Sequence, residues 1–259
     1  MRRGELESQV QILNVPIHNL SITELLTKLR LGGTVFTPNV DHLVKLQSDS
    51  DFYRIYQSVD YRICDSQILM YASRFLGNPI REKISGSDFF PAFYSFYKGD
   101  EDIRIFLLGS AEGVAQQAQR TINEKVGREI VVAAHSPSYG VEKRETECQQ
   151  IIDLINQSGA TVLAIGLGAP KQEKWLFKYK EQLTNIKIFL AIGATIDFEA
   201  SHRPRAPKWV SEAGLEWVFR VICEPRRLWK RYLVQDSVFF YHLIRQKFNL
   251  YQDPFAPDD

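Results

Sequence analysis

No apolar run in this chain approaches the ~20 residues that a membrane-spanning helix needs. The longest candidate, Ser237 to Ile244, is bracketed by Gln235, Asp236, Arg245 and Lys247. The opening MRRGELESQV sets Glu5 and Glu7 behind two arginines and has no apolar core, which argues against a signal peptide. The chain is therefore expected to be soluble or peripheral. Only three cysteines occur, Cys64, Cys148 and Cys223, far apart and without a CxxC pair, so neither a disulfide framework nor a zinc site is suggested. The five histidines are scattered and form no HExxH. Net charge is +1, so no global field points to nucleic acid, and any electrostatic role must be local. A GxxxxGK[ST] loop is missing, which excludes P-loop chemistry, and the absence of GxSxG counts against an α/β-hydrolase. Gly109-Ser110-Ala111-Glu112-Gly113 is not GxGxxG, and the next strand ends in Ala134-His135 with no acid for a ribose. A nicotinamide site has little support.

What is present is alternation. Val10–Leu13, Val35–Thr37, Tyr61–Cys64, Ile103–Leu108, Ile130–Ala134, Val162–Ile165 and Ile188–Ile192 read as short buried strands. Helical spacing follows in 21–30, 113–125, 143–157 and 170–182, the last with Pro170 at its first turn. This predicts a Rossmann-like α/β fold, a largely parallel sheet with helices on both faces. After Asp197 the composition changes. Between Arg203 and Arg231 there are eight Lys/Arg against three acids, and three of the four tryptophans. We expect a catalytic α/β domain over 1–200 and a basic, aromatic-rich helical appendage over 201–259.

In open parallel sheets, ligands bind beyond the carboxyl ends of the strands, where helix N-termini present free N–H groups. Polar residues concentrate there: Thr37-Pro38-Asn39, Asp65-Ser66-Gln67, Gly109-Ser110, Gly166 to Pro170 with Gln172-Glu173, and Gly193 to Thr195 with Asp197. Asp65 reads either as a helix N-cap or as a carboxylate aimed at substrate. Gly166 to Pro170, with Gly168 central, reads either as an anion cradle or as a tight strand-to-helix turn. Asp49 and Asp51, and Asp100 and Asp102, read as solvated or capping carboxylates rather than metal ligands, so no metal and no cofactor is expected.

Several blocks together resemble the WecG/TagA/CpsF glycosyltransferases: Thr-Pro-Asn-Val-Asp-His at 37–42, Ser-Gly-Ser-Asp at 85–88 and Gly-Leu-Gly-Ala-Pro-Lys-Gln-Glu-Lys-Trp at 166–175. So do Gly-Ala-Thr-Ile-Asp-Phe at 193–198, Arg-Ala-Pro-Lys-Trp at 205–209, and the segment 214–232. The resemblance implies inverting transfer, without a metal-binding DxD, from a UDP-sugar to an undecaprenyl-diphosphate-linked sugar in wall-polymer or exopolysaccharide synthesis. N-acetylmannosamine, its uronic acid and glucose-type sugars are the implied donors' cargo. Carried over residue by residue, it places Thr37 and Asn39 at the site, Asp65 as general base and Gln172 as a substrate contact. Glu173, Gly168 and Thr195 are further candidates. Lys83, Arg220, Arg226, Arg227 and Arg231 are candidates for the departing diphosphate. Three departures stand out: Ser66 where the family usually has Gly after the Asp, Lys83 where Arg is common, and the segment His135-Ser-Pro-Ser-Tyr-Gly140, which differs from the common pattern. The resemblance implies a partner set of UDP-sugar, lipid-diphosphate acceptor and anionic membrane, at the cytoplasmic face of the plasma membrane, with homo-oligomerisation open. A non-catalytic nucleotide-binding scaffold and a nucleotide-sugar hydrolase are the rival readings.

Overall fold

The computed structural model describes residues 9–256, except for the side chains of Lys208, Glu212, Arg227, Tyr232 and Leu233. Among the described residues there are eight strands: β1 (Gln9–Ile12), β2 (Val15–His18), β3 (Gly33–Phe36), β4 (Tyr61–Arg62), β5 (Ile105–Gly109), β6 (Val131–His135), β7 (Val162–Gly166) and β8 (Ile188–Ala191). The chain forms two compact units, one of 9–21, 37–85 and 205–256, the other of Ile22–Phe36 and Gly86–Pro204.

The second unit carries the parallel sheet, in the order β3-β8-β7-β5-β6. Its central strands are apolar throughout: all of β5 and β8, and the first four residues of β7, are buried. That is what strands covered on both faces require. The connecting helices bury one stripe each. Val114–Val126 buries Val114, Ala115, Ala118 and Ile122, and Glu145–Gln157 buries Cys148, Ile151, Ile152 and Ile155. The layering is Rossmann-like, as the alternation predicts. From β5 the chain moves outward to β6 and then returns to β7 on the other side of β5, so the winding reverses between β5 and β7. Ligand crevices of doubly wound sheets lie at such a reversal. Here the two strands end on paired glycines, Gly109 opposite Gly166. A Cβ on Gly109 would sit 2.5 Å from the Gly166 carbonyl oxygen, and Gly109 has φ +142°. Only glycine lets these strand ends close up.

The first unit is differently built. β1 and β2 form an antiparallel hairpin across Leu13-Asn14, so Val10–Ile12 does not belong to the parallel series in which its composition had placed it. Its alternating burial marks a ribbon with one face in the core. Pro16 is tolerated in β2 because a two-stranded ribbon has an open edge on each strand. Helices Val40–Lys45, Ser50–Gln57 and Gln67–Leu76 follow, and the C-terminal segment contributes Lys208–Glu212, Glu216–Cys223, Pro225–Lys230, a π-helical turn at Arg231–Gln235, and Val238–Lys247. Among the described residues no helix is long and apolar enough to cross a membrane.

Candidate active site

The first unit holds a cavity of about 350 Å³. That lies within the range of small-ligand sites. Its walls come from three stretches of chain: Asn39 to Asp41, Asp65 to Ile68 with Lys83, and the C-terminal helices from Ser211 to Phe240. Each polar wall residue has a local reason for its place. Asn39 is the N-cap of Val40–Lys45, its Oδ1 accepting the His42 N–H at 3.3 Å. Asp65 sits past the tip of β4, where its N–H donates to the Pro38 carbonyl at 3.0 Å and the preceding Cys64 carbonyl accepts from the Ile84 N–H at 2.8 Å. The cap of Gln67–Leu76 is Ser66, whose Oγ accepts from the Leu69 N–H, and not Asp65. A hydroxyl at position 66 thus takes over the capping task, and Asp65 is left among the residues that line the cavity.

The cavity's cations are held by named partners. Lys83 Nζ donates to Ser211 Oγ at 2.7 Å, Ser211 Oγ donates to Glu216 at 3.2 Å, and Arg220 pairs with the same carboxylate at 2.5 Å. Arg231 binds Asp41 Oδ2 at 3.0 Å, and Lys45 reaches the same oxygen at 2.7 Å. Beside this pair lies His42, fully buried, its Nδ1 2.5 Å from the Tyr56 hydroxyl. Burial holds its pKa down near 3, so the imidazole is neutral. Asp236, also a wall residue, is 4% exposed, and neither carboxyl oxygen has a hydrogen-bond partner. Burial first and the Asp41 charge second push its pKa up to about 6, against the pull of Arg231 and Lys45. Trp217 and Phe240 supply ring surface.

Of the residues singled out in the sequence, the cavity gathers Asn39, Asp65, Lys83, Arg220 and Arg231. Thr37 is buried and Arg226 exposed, and neither lines it. Arg227's side chain lies outside the described residues. Gly168, Gln172, Glu173 and Thr195 belong to the second unit. There, Gln172 is buried and ties down its own loop. Its Oε1 accepts the Gly168 N–H at 3.2 Å, and its Nε2 donates to Glu173 at 2.8 Å. Thr195 is likewise buried, its hydroxyl donating to the Ile192 carbonyl at 2.6 Å. Ser110, at the reversal between β5 and β7, has φ +61° and a buried Oγ with no hydrogen-bond partner. A non-glycine residue held in that region marks a place where function can have imposed strain. Asp236 and Phe240 carried no motif that would have singled them out, and Trp217 was legible only as part of the segment 214–232. Ser110 was legible only as part of the Gly109-Ser110 junction.

The profile of the Glycosyl transferase WecG/TagA/CpsF family matches residues 10–253. The chain belongs to this family. It is also similar to the N-acetylglucosaminyldiphosphoundecaprenol N-acetyl-beta-D-mannosaminyltransferase of Bacillus subtilis (strain 168), 26% identical over 229 residues that make up 86% of each chain. The enzyme of the same name from Bacillus spizizenii (strain ATCC 23059 / NRRL B-14472 / W23) is 26% identical over 204 residues, 78% of this chain and 75% of the relative. The protein is therefore a glycosyltransferase, and the wall of carboxylates and cations around Asp65 is read in that light.

Proposed function

We propose that this glycosyltransferase moves N-acetylmannosamine, or a closely related sugar, from a UDP-sugar to an undecaprenyl-diphosphate-linked N-acetylglucosamine, in a single inverting displacement with Asp65 as general base. The observation that carries the reading is Asp65 itself, a carboxylate released from capping duty by Ser66 and placed in the wall of the cavity. The activity for which the two Bacillus relatives are named suggests the acceptor and the sugar. In the reaction, Asp65 takes the proton of the acceptor hydroxyl as its oxygen bonds to the anomeric carbon. The bond from that carbon to the diphosphate oxygen breaks, and its electron pair leaves on the diphosphate. Cationic side chains and helix N-termini can answer that charge. Lys83 is the first candidate, since it is held by a neutral hydroxyl, whereas Arg220 and Arg231 already face carboxylates.

The decisive experiment is transfer of labelled sugar from the UDP donor to a short-chain lipid-diphosphate acceptor. Asp65→Asn should keep the fold and the melting temperature while lowering turnover by at least about a hundredfold. Turnover within a few-fold of wild type would overturn the assignment of the base. A wild-type protein that releases free sugar with or without acceptor would instead mark a hydrolase.

Because such an acceptor is confined to a bilayer, the same reading places the protein on the inner face of the plasma membrane. Exposed Ile222, Trp229, Tyr241, Ile244 and Phe248 in the C-terminal helices, with exposed Arg226 and Lys230, support it. Aromatic rings favour the headgroup boundary, and cations favour anionic lipid.

A further inference from the structure

Asp236 is an anomaly of the first unit. A carboxyl group 4% exposed is ordinarily held by donors, since burying a charge without hydrogen bonds is costly. Here both oxygens lack a partner. The neighbouring cations do not supply the missing donors: Arg231 and Lys45 both engage Asp41. Across the cavity, Arg220 is engaged by Glu216 and Lys83 by Ser211. The backbone explains how Asp236 is held in place. Its N–H closes the π-helical turn on the Arg231 carbonyl at 2.8 Å, and its own carbonyl accepts from the Phe239 N–H at 3.1 Å. The main chain is thus satisfied, whereas the carboxyl of this cavity-lining residue is buried with neither oxygen hydrogen-bonded. With two carboxyls, Asp65 and Asp236, in the wall, the space beside Asp236 suits a ligand that offers O–H and N–H donors. Ring surface from Trp217 and Phe240 suits the apolar face of a pyranose.

We propose that Asp236 is a specificity-determining residue whose carboxyl accepts hydrogen bonds from the hydroxyl or acetamido N–H groups of the N-acetylhexosamine that occupies this cavity. The inference rests on the function proposed above. The sugar can belong to the nucleotide donor or to the lipid-linked acceptor; the recognition chemistry is shared, and the kinetics separate the two sources. A group left unsatisfied in the empty protein and satisfied by substrate is characteristic of sites where stability yields to function.

The test compares wild type, Asp236→Asn and Asp236→Ala in the full-length protein, varying UDP-N-acetylmannosamine and a short-chain N-acetylglucosamine diphosphate lipid in turn. Asp236→Ala should raise KM at least about tenfold for whichever substrate places its sugar in the cavity, and leave the other KM within about twofold. Asp236→Asn, which keeps an accepting oxygen, should recover part of that loss. Thermal midpoints of both variants should equal or exceed that of wild type, because no native hydrogen bond is removed. Unchanged KM values for both substrates in a folded Asp236→Ala protein overturn the inference, as does a lowered midpoint in both variants with kcat falling and KM constant, which marks a structural role. If wild type itself transfers nothing, the proposed function fails. Saturation-transfer NMR with free N-acetylglucosamine and N-acetylmannosamine then still decides on Asp236: signal in wild type that Asp236→Ala abolishes sustains it, and equal signal, or none, overturns it.

Discussion

His42 and Asp236 sit near the same three charges, Asp41, Lys45 and Arg231, yet burial moves their protonation in ways that oppose each other in stability. His42, held near 3, stays neutral in the fold while the unfolded chain takes up a proton near pH 6.5. The unfolded state therefore binds more protons between those values, and this contribution to stability is lost as pH falls below about 6.5. Asp236 is raised to about 6 from an ordinary 3.8, so the folded state holds the extra proton between them. Stability through Asp236 falls as pH rises through that window, and the cost is complete above about pH 6. Asp236→Asn removes the cost. It should raise the melting temperature at pH 7.5 by about 2–4 °C, equivalent to ~1 kcal/mol after allowance for screening, and by less at pH 4.5. Melts at the two pH values check this, and an equal gain at both would contradict it. Neither residue was legible as a functional group in sequence. His42 lies in a matched block but is consumed by Tyr56, and Asp236 follows a polar stretch like any helix-flanking acid. Only the return of the C-terminal segment to residues 37–85 gives them their surroundings.

At the level of elements, the strands that were easiest to read are those buried on both faces. β5, β7 and β8 are continuous apolar runs, and no other environment tolerates Ile105 to Leu108 or Val162 to Ile165. β2 was missed because Pro16 reads as a breaker, although an edge strand can carry it. The sequence left Asp65 open between capping Gln67–Leu76 and meeting substrate, because Asp65 and Ser66 are both good caps; the backbone geometry gives the cap to Ser66. The glycine pair at the ends of β5 and β7 gives a sharp prediction. Gly109→Ala would place a Cβ 2.5 Å from the Gly166 carbonyl oxygen in a backbone conformation that favours glycine. It should destabilise the protein by more than about 2 kcal/mol, read as a lowered denaturant midpoint with unchanged slope. The helix Pro225–Lys230 gives a second. Arg226 and Lys230 are exposed, stand four apart on one helix face, and do not line the cavity. Reversing both to Glu should weaken sedimentation with anionic vesicles at least about tenfold, since each cation near such a surface is worth about 1 kcal/mol. Wild-type sedimentation would show that these charges serve the fold. Arg231 would be a poor probe of the membrane, because its change would also break the pair with Asp41.

Over the whole molecule, charge is nearly balanced at +1, so the protein offers no broad positive field to a diphosphate leaving group. The question is whether a divalent ion must supply that field. The two acid pairs whose spacing could hold one have other employment. Asp49 caps Ser50–Gln57 by accepting the Phe52 N–H at 3.0 Å, and Asp51 pairs with Arg54. Asp100 accepts the Asp102 N–H at 3.1 Å. These are the tasks of capping and turn carboxylates, which lower the cost of a helix start or a loop rather than bind a cation. The cavity instead offers Lys83, Arg220 and Arg231. Of these, Lys83 is held through a hydroxyl and can turn to an incoming phosphate without abandoning a carboxylate. We therefore expect transfer to proceed in excess EDTA at a rate within about twofold of the untreated rate. Lys83→Ala should lower turnover by on the order of a hundredfold, the usual effect of deleting a group that meets developing charge. Lys83→Arg should restore much of it, since a guanidinium can meet the same oxygens with two donors. Abolition by chelator with recovery on adding Mg²⁺ or Mn²⁺, together with an indifferent Lys83→Ala, would transfer the role from the side chain to a metal.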